Sequence, residues 1–263
     1  MIYELTDTAK AAPLFAGWEE TLIWSCLQGL MGNIYTTDLH CPVSALAVLG
    51  DFAFFAGKVN SELVSFYPPF CKKDFLLLVP QDRSWESSLL KHYGKQAKRI
   101  SRYATKKEPA IFDIKELNTI AASLPAEYEL SLIDRPLYNQ CREMIWSRDL
   151  VSQFQDYDTY RRLGLGVVIR QNRQIISGAS SYSRYDAGIE IEIDTKKEYR
   201  RRGLASICGA RLILECLQRE LYPSWDAHSR ASLTLAEKLG YHYSHTYSAI
   251  EITLSPAAIS GIV

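Results

Sequence analysis

The chain has 263 residues, 47% hydrophobic and 23% charged, well away from the low-hydrophobicity, high-charge range in which chains stay disordered. Its 30 Lys and Arg balance 30 Asp and Glu, which excludes a whole-molecule positive field of the kind that holds nucleic acid or an anionic membrane. The longest apolar stretch, Ser44–Leu49, is far short of the roughly 20 residues that cross a bilayer. No basic and apolar signal region precedes the first elements. Cys26, Cys41, Cys71, Cys141, Cys208 and Cys216 contain no CxxC pair and read as reduced, mostly buried thiols, so a cytoplasmic location is expected.

At this length one large domain or two ordinary ones are allowed. Residues 9–26 have helical periodicity broken by Pro13 and Gly17. Residues 33–37 and 43–55 read as strands around a Gly50-Asp51 turn, and 75–79 as a buried strand closed by Pro80. Asp82 or Ser84 is placed to cap a helix from Trp85 to about Lys95. A strand over 99–106 and a helix over 113–123 follow. The pattern restarts near Pro125, where a boundary divides 1–126 from 127–263. Helices interrupted near 147–152 cover 136–159. A hairpin joins 166–170 to 175–182 through a polar turn. Then come a strand at 189–193, a helix at 204–221, a strand near 222–227, a helix at 230–239 and a final pair of strands. No internal repeat shows in the residue identities.

The chemistry concentrates in Ile189–Ala205. Alternation places Ile189, Ile191 and Ile193 on one face of a strand and Glu190, Glu192 and Asp194 on the other. The strand runs into five cations within seven residues, Lys196, Lys197, Arg200, Arg201 and Arg202. Gly203 and a helix with apolar residues at Ile207, Ala210, Leu214, Leu217 and Leu221 come next. Arg211, Glu215 and Arg219 recur every four residues, as on a solvated face with i,i+4 pairs. A strand, a basic glycine turn and a helix N-terminus form a phosphate cradle, because the first helical amides lack intrahelical partners and the helix dipole is positive there. The residues fit neither the P-loop nor the dinucleotide-binding glycine pattern.

Arg200-x-x-Gly203-x-Ala205 resembles the acyl-CoA pyrophosphate motif, (Gln/Arg)-x-x-Gly-x-(Gly/Ala), of the GNAT superfamily of N-acetyltransferases. Ser229–Tyr241 is similar to that superfamily's Asn-x-x-Ser-x-x-Leu-x-x-Lys-x-Gly-Phe segment. Ser232, Leu235, Lys238 and Gly240 fall on pattern, Tyr241 replaces Phe, and Ser229 stands where Asn is usual. The whole chain also resembles the subgroup containing the zwittermicin A resistance acetyltransferase, through Gln28–Tyr35, Gly50–Gly57, Arg102–Glu108 with Phe112-Asp113, and Trp225-Asp226-Ala227. The resemblance implies an α/β GNAT fold with a mixed, mostly antiparallel sheet over 127–263. A smaller α/β domain precedes it, readable as a degenerate GNAT copy; with no Arg-x-x-Gly-x-Ala of its own, that half is not expected to hold a second CoA.

The resemblance further implies acetyl-CoA as cosubstrate, held by Ile193, Asp194, Thr195, Arg200, Arg201, Arg202, Gly203, Leu204, Ala205, Ser206, Ser229 and Ser232. The acceptor is then an amine of a small molecule, a metabolite or an antibiotic. An ammonium with a pKa of about 10 must lose its proton before attack, so Glu190 is the first candidate general base and Glu192 the second. Backbone N–H groups around Ile191–Ile193 would face the developing oxyanion. The superfamily's common acid position is Ala236 here, which leaves Tyr241, Tyr243 and Tyr247 as candidates. No metal site is expected, since His242 and His245 face opposite sides of a strand. Neither nucleic acid nor a membrane is an expected partner, and the state is a monomer or a homodimer. Three readings stay open beside acetyl transfer: transfer of an aminoacyl or longer acyl group, a CoA-binding sensor without turnover, and the plain solvated faces that Glu190–Asp194 and Lys196–Arg202 would otherwise be.

Overall fold

The structure, a computed structural model, describes residues 1–67 and 75–253; Cys71 lies outside the described residues. The elements in chain order are β1 (Tyr3–Glu4), α1 (Thr21–Leu27), β2 (Asn33–Thr36), β3 (Ser44–Leu49), β4 (Phe52–Gly57), α2 (Ser61–Ser65), β5 (Phe75–Pro80), α3 (Arg83–Tyr93) and β6 (Ala97–Thr105). There follow α4 (Ile114–Ala122), β7 (Glu129–Leu132), α5 (Arg135–Glu143), α6 (Tyr157–Leu163), β8 (Gly166–Gln171), β9 (Gln174–Tyr185) and β10 (Gly188–Thr195). The last are α7 (Leu204–Leu217), β11 (Tyr222–Ser224), β12 (Asp226–Ala227), α8 (Arg230–Lys238) and β13 (Tyr243–Thr253). No described helix is long and apolar enough to cross a membrane.

Two compact units result, one of Met1–Arg102 with the chain from Thr246, the other of Tyr103–His245. The division expected near residue 126 therefore falls elsewhere. Helix α4, which precedes that point, packs on α7, and β13 returns to pair with β5, Ile250 opposite Leu78. The expected final pair of strands is one eleven-residue strand.

In the first unit the strand order is β1-β2-β3-β4-β5-β13-β6. Gly50, at φ +59°, makes the β3–β4 turn, a left-handed conformation that glycine adopts without Cβ strain. Asp82 caps α3 by accepting from the amides of Ser84 and Trp85 at 2.8 and 3.0 Å. Leu46, Phe55, Leu78, Trp85 and Ile250 centre its core.

In the second unit the order is β11-β10-β9-β8-β7, antiparallel except for β10 with β11. The β8–β9 hairpin turns through Asn172 and Arg173, at φ +51° and +67°, the two left-handed residues a type I′ turn needs. Helix α7 covers one face of the sheet. Ile189, Ile191, Ile207, Ala210 and Ile213 are buried in one core with Leu117 of α4, so α7 is apolar on more sides than its sequence stripe predicts. It ends at Leu217 rather than Leu221, because Glu220 turns left-handed at φ +57° and the Leu221 amide bonds back to Cys216 O.

The Arg211–Glu215–Arg219 row also differs from a plain solvated face. Glu215 is buried, and its oxygens accept from Arg211 at 2.8 and 2.5 Å and from Arg219 at 2.5 Å. Burial alone would raise its carboxyl, but the two guanidiniums outweigh that and hold it below the ordinary value. A lowered carboxylate contributes stability that is present above the unfolded-state pKa and lost as pH falls through the folded one. Glu215→Gln is expected to cost about 1–2 kcal/mol at neutral pH, roughly 2–8 °C in Tm. The difference from wild type should shrink as melts are taken from pH 7 down to pH 3.

Candidate active site

Strand β10 has two different edges. Along one it pairs with β9 over its whole length, from Gly188 opposite Tyr185 to Thr195 opposite Ser177. Along the other it pairs with β11 for three residues, Gly188–Glu190 against Tyr222–Ser224, and there pairing ends. The cause is on β11: after Trp225 the chain leaves this sheet as β12, which pairs with the end of β6, Asp226 opposite Ala104 and Ala227 opposite Tyr103. From Ile191 to Thr195 the outer edge of β10 thus has no strand beside it among the described residues. Such an edge offers a row of backbone donors and acceptors to an extended, amide-bearing ligand.

Beyond β10 the basic loop is braced by its own arginines. Arg200 Nε donates to Thr195 O at 3.0 Å, and its Nη2 lies 3.5 Å from Asp194 Oδ1. Arg202 donates to Tyr128 Oη at 3.3 Å and Glu198 O at 3.2 Å, with its guanidinium 4.9 Å from the Tyr199 ring centre. Arg201 is exposed, at φ +62°, and Gly203 follows at φ +79°. Asp194 accepts from the Thr195 amide; burial raises its carboxyl, against the pull of that amide and of Arg200.

Gly203 is the N-cap of α7 and no side chain caps the helix there. Asn60, Asp82, Asp113, Asp134, Asp156 and Ser229 cap α2, α3, α4, α5, α6 and α8 with side-chain oxygens. The first amides of α7, from Leu204, Ala205 and Ser206, therefore carry the positive end of a 14-residue helix without an oxygen supplied by a cap. A Cβ built on Gly203 would meet no atom beyond its chain neighbours within 4 Å. The space beside Gly203 is open, and the uncapped amides that follow suit a pyrophosphate by charge and by donor set. The last turn of β10 brings Ile193, half-buried, and Thr195, buried, beside the loop. Ser229 and Ser232 are otherwise engaged: Ser229 Oγ accepts from the Ser232 amide and Ser232 Oγ accepts from Trp225 Nε1, each at 3.2 Å.

Glu190 stands where β10 and β11 part. It is buried, and its Oε1 accepts from the Asp226 backbone N–H at 2.6 Å. Directly across on β9 is Ser183, fully buried, whose hydroxyl has no hydrogen-bond partner among the described residues. The register shifts here, from Glu190 opposite Ser183 to Ile191 opposite Ser181, which leaves Tyr182 as an extra residue on β9 and bends the sheet as a bulge does. Glu192 is half-buried opposite Ser180. Ser183 does not stand out in the sequence, and Asp226 stands out only within the Trp225-Asp226-Ala227 segment; a bulge partner and a contact 36 positions away leave no local signal.

Tyr241 is not at the mouth of this site. It is 1% exposed, its hydroxyl donates to Pro223 O at 2.5 Å, and its ring packs edge-on against Phe112 and Trp225. Burial pushes its phenol well above the ordinary value, and its ring is part of the core of the second unit. Cys141, Cys208 and Cys216 are buried too, each thiol pushed up to about 12 by desolvation, which removes the nucleophilic thiolate near neutral pH.

The first unit repeats the element order strand, helix, helix, three strands, helix, strand, helix, with a 3-10 turn at Thr8–Phe15 in place of the first helix. At the corresponding place its strands stay paired for four residues rather than three. Strands β4 and β5 stay paired from Phe52–Leu77 to Phe55–Pro80, Gln81 takes the Gly57 amide at 2.8 Å, and the five-residue α2 is capped by Asn60.

A family model described as GNAT acetyltransferase matches residues 12–250. A solved GCN5-related N-acetyltransferase-like protein from Streptococcus suis 89/1591 is 46% identical and superposes with a TM-score of 0.88, over 94% of this chain and 98% of that one. The uncharacterized N-acetyltransferase YdfB of Bacillus subtilis is 27% identical over 239 residues, 84% of this chain and 86% of its own. A tandem GNAT protein from the clavulanic acid biosynthesis pathway is similar in fold, with a TM-score of 0.52 at 10% identity over 97% of this chain and 99% of that one.

Proposed function

The chain belongs to the GNAT acetyltransferase family, and from that premise we propose that its second unit transfers acetyl from acetyl-CoA to an amine of a small molecule, by direct attack with Glu190 as general base. The observation that carries the reading is the uncapped N-terminus of α7, open in front of Gly203 and beside the unpaired edge of β10. The amides of Leu204, Ala205 and Ser206 hold the pyrophosphate, and exposed Arg201 adds charge. Ile193, Asp194 and Thr195 offer backbone groups to the amide-bearing arm, and N–H groups of the same edge face the thioester oxygen. Ser229 and Ser232 shape the opposite wall through Trp225.

Bound acetyl-CoA supplies an activated acyl carbon and a thiol leaving group. The protein's part is to deprotonate the acceptor. Glu190 keeps a carboxylate at the point where the strands part, steadied by the Asp226 N–H, and the Ser183 hydroxyl across the strand is placed to hold a proton-carrying water. Glu192, nearer the surface, attracts a cationic acceptor. Resemblance to the zwittermicin A resistance subgroup supports a small aminated metabolite or antibiotic as that acceptor, and the buried thiols suit a reducing, cytoplasmic setting.

Purified protein is expected to release free thiol from acetyl-CoA when a suitable member of an amine panel is added, and to do so more slowly from longer acyl-CoAs. CoA binding with no thiol release across the panel would replace this reading with that of a non-catalytic binder. Faster release from longer chains would replace it with that of a longer-acyl transferase.

A further inference from the structure

We propose that Thr105 is a positioning residue for Glu190, acting through the single peptide group that joins Trp225 to Asp226. The inference rests on the reading of Glu190 as the base, and its geometry is independent of that reading. Thr105 is 4% exposed at the end of β6, and its hydroxyl donates to Trp225 O at 2.7 Å. The N–H of the same peptide group, that of Asp226, donates to Glu190 Oε1 at 2.6 Å. In a trans peptide the C=O and N–H point in opposite directions, so one planar unit is gripped at both ends: a side-chain hydroxyl on the oxygen, a carboxylate on the nitrogen.

The peptide lies at a junction of strands. Pairing of β12 with β6 covers Asp226 and Ala227, and the first amide after β6, that of Lys106, goes to His242 O. The Trp225 carbonyl sits where β11 has ended and β12 has begun. Without the Thr105 hydroxyl this oxygen would lose a buried side-chain donor, and the peptide would gain freedom to rotate. Trp225 itself is fixed from its side chain by the Nε1 bond to Ser232, so the carbonyl bond adds the restraint on the peptide plane.

Two effects on Glu190 follow. A donor accepting polarisation at its carbonyl is a stronger donor at its N–H, because hydrogen bonds in series reinforce one another at low dielectric. A donor aimed at a carboxylate favours the charged form. Ionisable groups within electrostatic reach of Glu190 include Tyr185 of β9, Tyr222 of β11 and Tyr241 after α8, all three with phenols raised by burial; Arg184 of β9 stands opposite the preceding residue, Ile189. Glu192 and Asp194 lie further along β10. The Asp226 N–H, at 2.6 Å from Oε1, is a direct hydrogen-bond support for a negative Glu190.

The test follows the carboxyl directly. The protein is labelled with 13Cδ-glutamate, and the Glu190 resonance, identified by its loss in Glu190→Gln, is titrated in wild type, Thr105→Val and Thr105→Ser. Thr105→Val is expected to raise the Glu190 pKa by about 0.3–1 unit, and Thr105→Ser, which keeps the hydroxyl, to restore it. The acid limb of turnover should move upward by the same amount with an amine found by thiol release. An unmoved Glu190 titration in Thr105→Val overturns the proposal. If valine does not pack at this site, Thr105→Ala removes the same hydroxyl without added bulk and is read in the same way. Failure of the base reading would look different: turnover and its acid limb would persist in Glu190→Gln, whatever the resonance does in the Thr105 variants.

Discussion

Replacing Gly203 with valine is expected to weaken CoA binding by about 100-fold, while the protein stays folded. The two effects separate because of what surrounds this residue. Its φ of +79° is left-handed, and a β-branched residue there is strained by roughly 1–3 kcal/mol. A Cβ would meet no atom beyond its chain neighbours within 4 Å, so no core packing is lost and the melting temperature should fall by about 2–12 °C from backbone strain alone. The added atoms occupy that open space, next to the uncapped Leu204, Ala205 and Ser206 amides. Calorimetric titration of CoA into wild type, Gly203→Ala and Gly203→Val should give a graded loss, alanine less than valine. Equal affinities would remove the phosphate cradle from this turn and the acetyl-transfer reading with it.

Glu190→Gln is expected to lower turnover by about 10²–10³-fold with CoA binding unchanged. Glutamine keeps an oxygen for the Asp226 N–H, so the local fold is retained while the base is lost. Without that base, reaction depends on acceptor already deprotonated by water, and the variant's rate should climb with pH toward the amine's pKa of about 10. A deficit that narrows between pH 7 and pH 9.5 is the signature. Glu192→Gln, at the half-buried position two residues on, should lose far less; the reverse order of the two variants would transfer the base role to Glu192.

Much of this site is legible in the sequence because it is local. The alternation of Ile189, Ile191 and Ile193 holds in the structure, since the irregularity falls on β9 at Tyr182 and leaves the facing of β10 intact. Caps at Asp82, Asp113 and Ser229, and the hairpin turn at Asn172-Arg173, follow from side-chain and backbone chemistry within three or four residues. What stays hidden depends on partners far apart in the chain. Residues 222–227 read as one strand, and nothing local announces that Trp225 changes sheets, although that change opens the edge of β10. Glu190 finds its donor 36 positions away. The motif arginine Arg200 reads as a ligand for phosphate, yet its Nε holds Thr195 O. Tyr241 reads as a candidate acid because its residue type suits one, while its packing between Phe112 and Trp225 has no local signal in the sequence.

The return of β13 has a consequence for how the molecule is made. Ile250 and Ile252, both 0% exposed, complete a core otherwise drawn from residues 35–89. On a ribosome delivering the N-terminus first, that early-synthesised half waits, one strand short, until Tyr243–Thr253 has emerged. A cut between the two units would therefore strip the first of Ile250 and Ile252.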